Sequence, residues 1–194
     1  MEKKKRRSRR AYLNDFHQNI KGEYIYTGRM YAFRGSKEAY SRFVTYCVTD
    51  AAMILLFSVL QECFDPVPVS RFFVTIILWL IQTAAAGILM YTVICLAAWK
   101  NPLRAYRYEK SARTLEGKVN VTMGAAFLAA LAMIIFLLVK GTEGKLWLNL
   151  IRPLMSLSAG YTAFRLRKTV REAEFTEVPN PDGVKVAPAE MPKL

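Results

Sequence analysis

The chain has 194 residues and is 53% hydrophobic, yet it carries 28 Lys and Arg against 15 Asp and Glu, a formal net charge of +13. Apolar content that high excludes a disordered chain, and three Cys exclude a disulfide scaffold. An ordinary soluble domain balances its charge better, so the two properties are compatible only if apolar and charged residues are segregated along the chain, and they are.

The first ten residues hold seven cations, Lys3, Lys4, Lys5, Arg6, Arg7, Arg9 and Arg10. A tail of this kind fixes membrane orientation. It can also dock on anionic lipid headgroups, at about 1 kcal/mol per basic residue near the surface. A basic run favours phosphate in general, but no nucleic-acid-reading motif accompanies it, so no nucleic acid partner is expected. Ser8-Arg9-Arg10 imitates a twin-arginine export signal, but no apolar run begins before residue 43. The first span therefore reads as an uncleaved anchor. Tyr12, Leu13, Phe16 and Ile20 share one face at helical spacing and predict a short amphipathic surface helix. His17, the only histidine, reads as a surface residue with no second histidine for a metal site.

Residues 23–33 alternate aromatic and β-branched side chains around Thr27-Gly28. That pattern predicts a small β-hairpin with a tight Gly turn, whose aromatic face would comprise Tyr24, Tyr26, Tyr31 and Phe33. An isolated hairpin is marginal in water, so it should rest on the rest of the protein or on a partner.

Four long apolar windows follow, at about 43–60, 72–99, 119–139 and 146–164, containing together two charges, Asp50 and Arg152. At about 1.5 Å per residue each can cross a hydrocarbon core of about 30 Å. The windows differ in strength. The second holds 13 Leu, Ile, Phe or Val, worth roughly −6 kcal/mol of insertion; the fourth holds seven, and their roughly −3 kcal/mol is about cancelled by Arg152. The fourth should therefore need its neighbours.

The connecting segments are unequal. Residues 1–42, 100–118 and 165–194 hold 24 Lys and Arg against 11 acids, whereas 61–71 and 140–145 hold three of each. The positive-inside rule then places both termini and the 100–118 loop in the cytoplasm. Trp99 beside Lys100, and Trp147 beside Lys145, suit interfacial anchors. In the inner loop, Asn101-Pro102 predicts a helix start, Glu109 and Arg113 an i,i+4 pair, and Gly117 a break before the third span. The fourth span should continue as helix to about Glu174. Four Pro after Val178 predict a disordered tail.

Small residues mark helix contacts: Ala84–Gly87, Gly124–Ala126 with Ala129 and Ala130, and Ser156 with Ala159 and Gly160. They suit packing within the bundle, with a homodimer seam as the alternative. Unpaired charges in lipid are costly. Counted from the cytoplasmic ends of their windows, Asp50 lies roughly 11 Å deep and Arg152 roughly 18 Å, so an Asp50–Arg152 ion pair is expected, with Gln82 nearby. No disulfide is expected, because Cys63 lies alone on its side.

No phosphate-binding loop, HExxH, paired-Cys spacing or GxSxG is present, so no catalytic, cofactor or metal site is expected. The sequence thus predicts an all-α, four-span protein of the plasma membrane, with a small N-terminal cytoplasmic β-hairpin and a short cytoplasmic loop helix, in three regions: residues 1–42, the spans at 43–164, and the helical extension and disordered tail at 165–194. Its expected function is that of a non-enzymatic accessory or scaffold protein, engaging a membrane-protein partner, a second copy or anionic lipid through its cytoplasmic basic and aromatic region. The alternative is a small transporter or channel subunit using Asp50, Arg152 and Gln82.

Overall fold

The computed structural model describes residues 15–18, 24–64, 72–141 and 146–180. Four long helices dominate: α1 (Lys37–Leu60), α2 (Phe73–Ala98), α4 (Ala112–Lys140) and α5 (Leu146–Glu172). A short helix α3 (Ala105–Lys110) precedes α4, and five short strands complete the fold: β1 (Phe16–Gln18), β2 (Tyr24–Tyr26), β3 (Met30–Phe33), β4 (Leu103–Arg104) and β5 (Phe175–Val178).

Local chemistry sets several helix ends. Ser36 Oγ accepts from Ala39 N at 3.1 Å and caps α1, and Glu38 in the first turn complements the helix dipole. The helix therefore starts six residues before the apolar window. Gly141, with φ +76°, ends α4 in a conformation that favours glycine. Asn101-Pro102 is a cis peptide rather than a helix start. Gly117 does not break the chain: α4 runs through it from Ala112, because a helix packed on two neighbours tolerates the roughly 1 kcal/mol that glycine costs.

Each long helix packs on two others, α1 and α4 both touching α2 and α5. Contacts at both ends fix antiparallel neighbours. Tyr40 OH donates to Trp99 O at one end of α1–α2, and Trp79 Nε1 to Ser58 O towards the other. Lys118 meets Thr92 and Phe136 meets Phe72 along α2–α4. One end, here the basic end, thus gathers the start of α1, the end of α2, the start of α4 and the end of α5.

The interior is built from small and branched residues: Ala51, Ile54, Ala86, Leu89, Val93, Ala126, Ala129, Ala159 and Ala163 are fully buried. Their small size lets backbones approach closely; at Gly160 an added Cβ would lie 3.0 Å from the Phe127 ring. The outside is apolar too, with Ile77, Leu80, Ile88, Leu128, Ile135 and Leu138 among the exposed side chains.

Among the described residues three helices are long and apolar enough to cross a membrane: α1, α2 and the Ala105–Lys140 stretch. α5, the weakest window by sequence, is not among them. Its polarity has an inverted pattern: Asn149, Arg152 and Ser156 face inward, whereas Leu146, Trp147, Leu150, Leu154, Leu157, Tyr161 and Phe164 face outward.

The strands correct two expectations. Residues 24–33 do not form one hairpin about Thr27-Gly28. β2 pairs antiparallel with β1, while β3 is the centre of a three-stranded antiparallel sheet ordered β4-β3-β5. Gly28 is needed for a different reason: a Cβ there would lie 2.6 Å from Tyr26 OH and 2.9 Å from Asp15 Cβ. Phe16 and His17 stand in a strand rather than in an amphipathic helix, since pairing with Tyr24–Tyr26 satisfies their backbone; Tyr12, Leu13 and Ile20 lie outside the described residues. The protein is therefore mostly helical with a small sheet, the strands pairing differently from the expected hairpin.

Candidate functional site

Two constellations stand out, a polar seam inside the helices and an aromatic cap at the basic end. The seam begins where α1 gives way to its following turn. Ser58, Gln61 and Glu62 fall at i, i+3 and i+4, which puts them on one helical face. Gln82 of α2 and Ser156 and Arg152 of α5 meet that face. Gln82 Nε2 donates to Ser58 Oγ at 3.0 Å. Ser156 Oγ lies 2.9 Å from Gln61 Oε1 and 3.0 Å from Gln82 Oε1, with one proton to share between them. Ser58, Gln61, Gln82 and Ser156 are all fully buried.

Arg152, 1% exposed, donates through Nη1 to Glu62 Oε1 at 2.6 Å and through Nη2 to Phe64 O at 3.2 Å. A buried guanidinium demands such partners, because the charge loses its hydration. Asp50 is held elsewhere: Arg165 Nη2 donates to its Oδ1 at 2.6 Å.

The expected Asp50–Arg152 pair is therefore not formed. Along α1 and α5, Asp50 faces Arg165 and Glu62 faces Arg152. The two arginines are thirteen residues apart, about 20 Å along the helix, far beyond the reach of one side chain. The expectation lined up the ends of the apolar windows. The register follows instead from helices that continue past those windows to Lys37 and Glu172. Gln82 does join Arg152's neighbourhood through Ser156, but not Asp50.

In the cap, β3 supplies Tyr31 and Phe33 to an aromatic cluster spanning sheet and helices. Tyr31 stacks on Tyr108 with ring centroids 4.2 Å apart. Phe33 packs on Phe43 at 5.4 Å, Phe175 at 5.6 Å and Tyr40 at 5.7 Å. Polar bonds hold the same junction: Phe33 N donates to Asn101 Oδ1 at 3.1 Å, Ala105 N to Arg29 O at 2.9 Å, and Arg34 N to Glu174 O at 2.9 Å. Tyr26 is 4% exposed. Its OH donates to Arg29 O at 3.0 Å and accepts from Ala105 N at 3.1 Å, and burial raises its pKa above the ordinary tyrosine value. Arg104 lies over the Phe16 and Tyr26 rings at 5.5 and 5.1 Å.

Of the aromatic residues assigned to partner contact, Tyr26, Tyr31 and Phe33 are thus engaged in internal packing, while Tyr24 is 73% exposed. Lys3, Lys4, Lys5, Arg6, Arg7, Arg9 and Arg10 lie outside the described residues. Exposed cations ring the cap, among them Lys37, Lys100 and Lys110. Ser58, Gln61, Glu62 and Arg165 do not stand out in the sequence, and Ser156 stands out there only as a small contact residue. Gln61 and Glu62 follow immediately after an apolar window and read there as loop; their spacing from Ser58 was the available signal.

Among the described residues no group of His, Cys, Asp or Glu could hold a metal ion, and Cys47, Cys63 and Cys95 are free thiols. The seam's polar groups bond one another, an arrangement suited to fixing helix register. Compared with protein-family models, curated proteins and solved structures, the chain matches none.

Proposed function

We propose that the protein is a non-enzymatic, four-span scaffold of the plasma membrane. Both termini are cytoplasmic, and its cap engages a membrane-protein partner or a second copy while its cations contact anionic headgroups. The observation that carries this reading is the β4-β3-β5 sheet. It ties the N-terminal segment, the 100–118 connection and the post-α5 tail into one body, and these are the three segments that hold most of the basic residues. An even number of crossings between them follows from the positive-inside rule. The fourth span is supported by the outward apolar face of α5 with its polar groups turned inward, the inverse of a water-facing helix.

A photoreactive residue at Tyr24 tests the scaffold. The expected result is an adduct with one membrane protein or a second copy, lost when Lys37, Lys100 and Lys110 become Glu. An equal adduct in that variant, or none in the parent, would reject the reading.

The polar seam favours a second reading, a small transporter or channel subunit. It predicts that Asp50→Asn keeps the fold but abolishes ion or solute flux in vesicles. Against it stands the buried apolar layer of Ala51, Ile54, Leu89, Ala126 and Ala159, at a level between Asp50–Arg165 and the seam.

A further inference from the structure

An apolar groove of about 560 Å³ opens on the outer surface between α2 and α4. Ile81, Ala84 and Ile88 line it from α2, and Gly117, Lys118 and Val121 from α4. Lys118 is the charged side chain of its lining, near the basic end that Thr114 closes; its Nζ donates to Thr92 Oγ1 at 2.6 Å and is held against the helix surface. From that level to Ile81 is eleven residues, about 16 Å, or roughly one leaflet of a hydrocarbon core of about 30 Å. Gly117 leaves open space there: a Cβ at this position would meet nothing within 4 Å.

Among the described residues no carboxylate forms an ion pair with the Lys118 charge. Lys110, the last residue of α3, is one turn from Thr114, which lines the groove and whose Oγ1 donates to Lys110 O at 3.0 Å. Among the described residues the ion pairs involve Arg29, Arg34, Arg113, Arg152, Arg165 and Arg171, and neither lysine. Two cations above an apolar slot one leaflet deep complement a phosphate carrying an acyl chain.

We infer that this groove is a binding site for one anionic phospholipid, its phosphate at Lys118 and Lys110 and one acyl chain along Ile81, Ala84 and Ile88. The inference rests on the membrane reading above. A second copy would have to desolvate both lysines against its own, which disfavours it as the occupant.

Native mass spectrometry of the full-length protein, released from nanodiscs of phosphatidylcholine with phosphatidylglycerol, provides the test. One phosphatidylglycerol should be retained in preference to phosphatidylcholine. Lys118→Gln should weaken retention about fivefold, the equivalent of one basic residue at the surface, and Lys118→Arg should keep it. Gly117→Leu should abolish retention by filling the slot. That variant favours helix over the parent glycine, so loss of fold is not its expected consequence. Equal retention in the parent, Lys118→Gln and Gly117→Leu would overturn the site. Displacement by free glycerol phosphate, or a disulfide-linked dimer through Gly117→Cys, would overturn it in favour of a headgroup pocket or a copy interface. Alkaline carbonate separates the two levels: release of the protein from membranes rejects the membrane reading and the site together, while unaltered retention in a protein that stays embedded rejects the site alone.

Discussion

At the residue scale, burial decides which charges matter. Asp50 and Arg152 are the buried members of their ion pairs, with side chains 5% and 2% exposed, whereas Arg165 is 60% exposed. Removing Arg165 or Glu62 strands a charge that cannot reach water. Removing both members of a pair does not. A double-mutant cycle on thermal unfolding in detergent should therefore give a coupling of about 1–3 kcal/mol between Asp50 and Arg165. The same cycle between Asp50 and Arg152 should give about zero, within roughly 0.5 kcal/mol, as expected for residues far apart. Coupling between the latter pair would contradict the helix register. Tyr26 supplies a pH signature. Its folded pKa is raised by burial, so its contribution is fully present below the unfolded tyrosine value of about 10. It is lost as pH rises through the folded value. Alkaline unfolding curves should show Tyr26→Phe less sensitive to pH above about 10 than the parent; parallel curves would remove the phenol from the account.

At the element scale, β3 illustrates what a local pattern can and cannot convey. The alternation in residues 24–33 announces extended chain, and the chain is extended there. It does not name the partner, because strand pairing is satisfied equally well by any edge brought alongside. Here those edges come from residues 103–104 and 175–178. Ala32 stands opposite Thr176, at a Cα separation that antiparallel pairs hold near 4.5–5.5 Å and disulfides accept. Cysteines at these two positions should cross-link spontaneously on oxidation and raise the unfolding temperature. No cross-link would leave the hairpin about Gly28 as the better description. α4 carries a similar lesson. Gly117 reads as a breaker from sequence, yet packing of α4 on α2 and α5 outweighs its weak helix propensity.

At the scale of the whole molecule, segregation is the governing fact. Strands, connections and tail bring the three basic segments to one end, and apolar side chains cover the outer surface between the ends. On the membrane reading the turn after α1 lies outside the cell. Cys63, exposed there, should then react with an impermeant thiol reagent in intact cells, and Cys47, fully buried, should not. Protection of Cys63 would reverse the orientation or reject the spans. The cap also restricts what a partner can touch, since Tyr31 and Phe33 are held under the sheet and only Tyr24 of the aromatic set projects outward.

The sequence alone determined the long helices, the segregation of charge and the weakness of the fourth window. These depend on residue type and on contiguous length, both properties of a local stretch. It also located Asp50, Arg152 and Gln82 as polar residues among apolar ones. Only the tertiary structure decided what each of them touches. The register of α5 against α1 lies about eight residues from the one that aligned window ends imply, enough to give Asp50 to Arg165 rather than Arg152, and apolar windows have no sharp ends from which such an offset could be measured. The cap was decided in the same way, because strands seventy and more residues apart meet through the antiparallel course of four helices, and no spacing within any one segment records that meeting.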